Sequence, residues 1–182
     1  MSVSTGVVLL NFGEPEHPVM EEVAPFLERI FSLNAGLEGS ASPEASRARA
    51  RQLAEQRAPA LIDEYRMIGG SPMNRQSREQ GEALRRGLAE RGRDVRVYCA
   101  FQFTAPLPDE IVEQARADGI AELVALPVYP LCGPSTTIAA FAALRGALEL
   151  AGWDVPVQEI SGWHPHPEYV RLRASGIVGA AS

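Results

Sequence analysis

The chain has 182 residues, 46% of them hydrophobic and 22% charged, an ordinary globular composition. That length suits one domain with a sizeable core, or half of a two-domain enzyme. Lys and Arg number 17 against 23 Asp and Glu, and the formal charge of -6 argues against a general nucleic-acid binder.

Two cysteines, Cys99 and Cys132, are too few for a disulfide scaffold and read as reduced thiols of a cytoplasmic protein. The segment Met1-Ser2-Val3-Ser4-Thr5 has no basic region of the kind that opens a signal peptide. Pro or Gly interrupts the long apolar runs well short of a membrane span, so no transmembrane segment is expected.

Val7 to Leu10 reads as a buried strand leading into the loop Asn11 to Pro15. Val23, Phe26, Leu27 and Ile30 share a helical face, and Pro25 places the start of that helix near Glu22. Small residues from Ser32 to Pro43 (Asn34, Gly36, Gly39, Ser40, Ser42) predict a flexible loop. Ser42 then caps a second helix with Pro43 in its first position. That helix is expected to end near Arg57 and to restart at Pro59 toward Met67.

A charged amphipathic helix over Ser77 to Arg91 stops at Gly92. Val95, Val97 and Cys99 alternate with polar residues as a strand. A helix over Asp109 to Asp118 ends at Gly119. Leu123 to Leu126 is a buried strand, Ser135 to Leu150 an Ala-rich helix closed by Gly152, and Val155, Val157 and Ile160 a short strand. A last helix starts near Tyr169 and dissolves after Gly176. The expected fold is therefore α/β, a three-layer sandwich whose mostly parallel sheet is flanked by helices. Ligands of such sheets bind beyond the carboxyl ends of the strands.

Two stretches stand out as ligand-site walls. In Tyr65-Arg66-Met67-Ile68-Gly69-Gly70-Ser71-Pro72, two glycines allow a sharp turn and a close approach, beside a ring, a cation and a hydroxyl. In Leu126 to Thr137, a buried strand ends in prolines and a glycine before the cluster Ser135-Thr136-Thr137. That cluster either caps the following helix alone, or caps it and also meets an anionic group at its N-terminus.

Together these stretches resemble the ferrochelatase family, whose enzymes insert ferrous iron into a porphyrin. The opening Leu10-Asn11-Phe12-Gly13-Glu14-Pro15 is similar to a Leu-Asn-Leu-Gly-Thr-Pro type motif. Tyr65 to Met73 is similar to Tyr-Arg-x-Ile-Gly-Gly-Gly-Ser-Pro-Leu, with one glycine fewer. Leu126 to Thr137 is similar to Leu-Pro-Leu-Tyr-Pro-Gln-Tyr-Ser-x-Thr-Thr-Thr. Pro25-Phe26-Leu27 with Phe31, and Gln80, add to the match.

The resemblance implies a porphyrin slot walled by Phe12, Ile68, Tyr129 and Leu131. Arg66, Ser71, Ser135 and Thr136 would meet the carboxylates, and Cys132 stands where a porphyrin-facing Tyr is common. Gln102 replaces a positively charged residue. Ferrous iron and the porphyrin are the implied substrates, and no cofactor is implied.

The family's catalytic His and Glu belong to a second α/β domain, and their motifs do not occur in this chain. Residues 1–182 therefore correspond to a single α/β domain, the N-terminal half of such an enzyme, with the helix from about 167 incomplete. No catalytic or metal-binding residue is assigned here. The partners implied are porphyrin and either the second domain or a homodimer partner. Two other readings compete: a non-catalytic porphyrin-binding module, and a half-size homodimeric chelatase with metal ligands from His164 or His166. Those two histidines otherwise read as an ordinary surface loop. Glu14 reads as a favourable acid near a helix start and not as a catalytic acid.

Overall fold

The computed structural model describes residues 4–38 and 42–180. Gly39 and Ser40 of the expected loop and both chain ends lie outside the described residues. Among the described residues, four strands form one parallel sheet in the order β2-β1-β3-β4. They are β1 (Thr5–Asn11), β2 (Arg96–Phe101), β3 (Glu122–Pro127) and β4 (Val157–Glu159).

The helices are α1 (Met20–Glu38), α2 (Pro43–Ile68), α3 (Met73–Ala89), α4 (Pro108–Ala117), α5 (Ala139–Ala151) and α6 (Pro167–Ala180), with one π-helical turn at Pro134–Ile138. Strands alternate with helices as the sequence pattern requires, and the α/β sandwich expectation is met.

The strand order decides which face each helix covers. The step from β1 to β2 runs one way across the sheet, and the steps through β3 to β4 run the other way. Right-handed crossovers then place α3 on one face and α4 and α5 on the other. Side chains agree. Val8, Leu10, Tyr98, Ala100, Leu123 and Ala125 are buried with Ile111, Leu144 and Phe141 in the main core. Their neighbours in sequence point the opposite way, where Cys99 and Leu9 approach Gly81 of α3. The sequence alternation around β2 falls on Val95, Val97 and Cys99. The deeper face of that strand is instead Tyr98 and Ala100, because β2 is covered on both sides.

A second core lies between α1 and α2. Val23, Phe26 and Leu27 pack on Ala54, Ala58 and Ile62, and Phe103 joins them from the β2–α4 loop. Alanines four apart on α2 let the helix axes approach.

Several boundaries differ from expectation: α6 runs through Gly176 to Ala180, Val95 precedes β2, and Val155 and Ile160 flank β4. Helix α1 starts at Met20 and runs on to Glu38, so the loop expected from Ser32 is helical for its first seven residues. Helix α2 passes through Pro59 without a restart. Pro59 is exposed, so the hydrogen bond it cannot make lies on the solvent side, while the buried face on α1 continues past it. Helix α3 starts at Met73, four residues early, directly after the glycine turn. The cap at Ser42 is as expected, its hydroxyl accepting from Ala45 N at 3.3 Å.

Candidate functional site

Two ligand-sized hollows lie near the carboxyl edge of the sheet. The smaller is a cleft of about 650 Å³. It lies between the start of α3, the ends of β1 and β3, and Trp163. Its polar wall is built by a hydrogen-bonded cluster. Asn11 Nδ2 donates to Ser77 Oγ at 2.6 Å, and Ser77 Oγ donates to Met73 O at 2.9 Å. Asn74 accepts from Glu14 N at 3.0 Å and donates to Glu14 O at 2.9 Å and to Thr104 Oγ1 at 3.1 Å.

Ser71 donates to a Glu14 carboxylate oxygen and accepts from Met73 N at 3.2 Å. Asn11, Asn74 and Ser77 are all buried, and no buried side-chain polar atom among the described residues lacks a partner. The loop after β1 is thus tied to the turn at Gly69-Gly70. Glu14, read from the sequence as a helix-start acid, is the carboxylate that holds Ser71. Burial, with the Glu14 charge nearby, pushes the Tyr65 phenol up to about 12.

The larger hollow is a groove of about 960 Å³ between α1 and α5, closed at one end by the β2–α4 loop. Ala142, Ala143 and Gly146 of α5 give it a flat wall, Leu33 faces from α1, and Gln102 and Phe103 form the end. Behind Phe103 lie Phe12, at 4.5 Å between ring centroids, and Phe26, edge-on at 6.4 Å. Tyr129 packs on the main core and donates its phenol to Gln102 Oε1 at 3.3 Å. Burial pushes that phenol up to about 12, so it remains a donor throughout the physiological range.

The nine side chains singled out from the sequence do not line one cavity. Ser71 lines the smaller cleft. Phe12 and Tyr129 stand behind the end wall of the groove. Leu131, Cys132 and Ser135 are exposed on the loop and turn after β3, with Thr136 half-buried beside them. Arg66 and Ile68 are exposed at the end of α2, where Arg66 pairs with Asp63 at 3.1 Å.

The Ser-Thr-Thr cluster does not cap its helix. Thr136 and Thr137 donate to the carbonyls of Gly133 at 3.3 Å and Leu131 at 3.1 Å, because the chain opens there as a π-turn closed by Ile138 N to Gly133 O. His164 and His166 are exposed, and His166 Nδ1 accepts from Glu168 N at the start of α6. Sequence reasoning missed Asn74 and Ser77. A polar residue early in a helix looks like a cap, and only the tertiary contact with the β1 loop distinguishes these two.

A parallel α/β domain with ligand-sized hollows at its carboxyl edge has the architecture of the doubly wound class. The ferrochelatase family profile matches residues 4–181, and the chain belongs to the ferrochelatase family. It is 37% identical to a ferrochelatase of Synechococcus sp. (strain JA-3-3Ab) over 95% of this chain and 51% of that protein. It is 34% identical to a ferrochelatase of Gloeobacter violaceus over 91% of this chain and 51% of that one. It is 31% identical to the chloroplastic ferrochelatase-2 of Cucumis sativus, covering 93% of this chain and 33% of that protein. The chain spans about half the length of the first two of these relatives. Among the described residues, no helix is long and apolar enough to cross a membrane.

Proposed function

We infer that this chain is the porphyrin-holding part of a ferrochelatase and that the macrocycle lies in the groove between α1 and α5. One observation carries this reading: the Tyr129–Gln102 hydrogen bond joins the 126–137 motif to the end wall of an apolar, ligand-sized groove. A porphyrin is flat and apolar with carboxylates at its rim. Ala142, Ala143 and Gly146 suit its face, because none of them projects beyond a Cβ. Phe103, backed by Phe12 and Phe26, supplies an aromatic stop.

Ferrous iron is the second substrate of this proposal. Insertion requires bases for two pyrrole protons and ligands that deliver the metal. Those groups are assigned to a part of the enzyme outside this chain. Ile68 is 70% exposed and Leu131 63%, and contacts from them to the porphyrin would form only when the rest of the enzyme closes over this edge. Cys132, Ser135, Thr136 and Arg66 belong to the same proposed surface. Ser71 acts by ordering the neighbouring turn through Glu14.

Absorbance titration of the purified chain with protoporphyrin tests this reading. A saturable shift of the Soret band is expected, and Ala142→Trp, which fills the groove from an exposed position, should remove it. An unshifted band with the wild-type chain contradicts the function. Unchanged binding by Ala142→Trp contradicts the location.

A further inference from the structure

We propose that Gly146 sets the specificity of the groove. It leaves the exposed face of α5 without an apex, so that a rigid flat ring system lies directly against the helix and a twisted molecule of similar composition does not. This deepens the reading above and rests on the groove being the ligand site. Gly146 lines the groove from the interior of α5, together with Ala139, Ala142, Ala143, Ala147 and Leu150.

Nothing among the described residues accounts for a glycine at this position. The rest of α5 is rich in alanine, the best helix former, and a glycine in a helix interior weakens the helix. Gly146 has no positive φ that would require it. A Cβ built on it meets no heavy atom within 4 Å, so no neighbour excludes alanine. Gly81 of α3 is the contrary case, since its Cβ would stand 3.0 Å from Cys99 Sγ. Gly87, Gly176 and Gly179 are also unhindered, but they line neither hollow. At Gly146 the open space is the groove itself.

The turn of the helix places this residue where a ligand face would touch first. At 3.6 residues per turn the lining residues form one stripe, with Gly146 near its middle, Ala142 on one flank, and Ala143 and Ala147 on the other. Ala139 shares the middle of the stripe but stands two turns away, about 10 Å along the axis. A flat body laid on a helix rests on the middle of such a stripe. A methyl group at 146 would hold it off the flanking alanines, and a gap of about 0.5–1 Å already forfeits a quarter to a half of each contact. Glycine lets one face of the ring meet the backbone and the flanking methyls together. A twisted molecule touches the same wall at points only and gains little from the missing methyl. The ligand class is therefore a rigid planar macrocycle.

The test titrates protoporphyrin and biliverdin into the wild-type chain, Gly146→Ala and Gly146→Leu, with a thermal melt of each. Biliverdin carries similar substituents and both carboxylates on an opened, twisted ring. The wild type should bind protoporphyrin about tenfold or more tightly than biliverdin. Gly146→Ala should raise the thermal midpoint by about 2–4 °C, because alanine strengthens the helix and meets no neighbour. The same variant should weaken protoporphyrin about fivefold or more and leave biliverdin within about twofold, and Gly146→Leu should weaken protoporphyrin further. A gain of stability paired with a loss of affinity is an outcome that a purely structural glycine does not produce. An alanine variant that binds protoporphyrin as tightly as the wild type, that weakens both ligands alike, or that melts below the wild type overturns the proposal. So does a wild type that binds both ligands without favouring protoporphyrin. A wild type that binds neither overturns the functional reading itself, and the comparison thereby separates the two failures.

Discussion

The Asn74 side chain is 2% exposed and makes three hydrogen bonds, two to the Glu14 backbone and one to Thr104. It joins the β1 exit, the α3 start and the β2–α4 loop. Asn74→Ala leaves those partners unsatisfied in a buried place, and a loss of about 1–3 kcal/mol in urea unfolding is expected. A loss within error of zero would show that water replaces the side chain. Little of this was legible in the sequence. Ser71 stood out because two glycines announce a turn, whereas Asn74 and Ser77 carry no local mark of the contact that buries them.

Three phenols test the electrostatics at the same scale. Burial is the largest cause for each and pushes Tyr65, Tyr98 and Tyr129 up to about 12 from an ordinary value of 10.0. The folded state holds these protons more tightly than the unfolded state does. Their contribution to stability is therefore fully present below about pH 10 and is lost as pH rises toward 12. Absorbance titration of the tyrosinates should show Tyr65, Tyr98 and Tyr129 ionising late, as the chain unfolds. Ionisation of these three near 10 in the folded chain would contradict their burial.

Glycines with positive φ end α2 and turn the chain after β1, and the two positions predict losses of different size. Gly69 caps α2 at φ 78, and a Cβ built there meets nothing within 4 Å. Gly13 has φ 80 as well, but its Cβ would fall 2.4 Å from Thr104 Oγ1 and 2.6 Å from Phe101 Cβ. Gly69→Ala should cost about 1 kcal/mol, the backbone penalty alone. Gly13→Ala adds a collision with a packed strand end and should cost several times as much, roughly 3 kcal/mol or more. Chemical denaturation of both variants checks the order, and equal losses would contradict it.

Strands and most helices were legible because apolar period and glycine stops act locally. Elements were misjudged where tertiary packing overrode local signals. Proline marked a break at Pro59, but the packing of Ala54, Ala58 and Ile62 on α1 carries the helix through. Small residues marked a loop after Ser32 where α1 continues. Of this groove lining only Gln102 stood out in the sequence, because Gln102 and Phe103, Arg29 and Arg47 come from three separate elements that no spacing links.

At the scale of the molecule, the chain spans about half the length of its ferrochelatase relatives. The purified chain alone is expected to show no steady iron insertion, as read by the appearance of haem bands under anaerobic conditions. Multiple turnovers by the chain alone would contradict the division of labour proposed for this domain. Large side chains such as Met67, Ile68, Leu131 and Ile138 lie more than half exposed and would make the isolated chain prone to association.

The central claim is that a porphyrin occupies the α1–α5 groove, and the ring current of the macrocycle reports its position directly. Methyl NMR spectra of the alanine- and leucine-labelled chain, recorded with and without protoporphyrin, should show large upfield shifts at Ala142, Ala143 and Ala147 and small ones at Leu84 and Leu126 of the smaller cleft. Shifts concentrated at Leu84 and Leu126, or no shift at the α5 alanines under saturating porphyrin, would contradict the account.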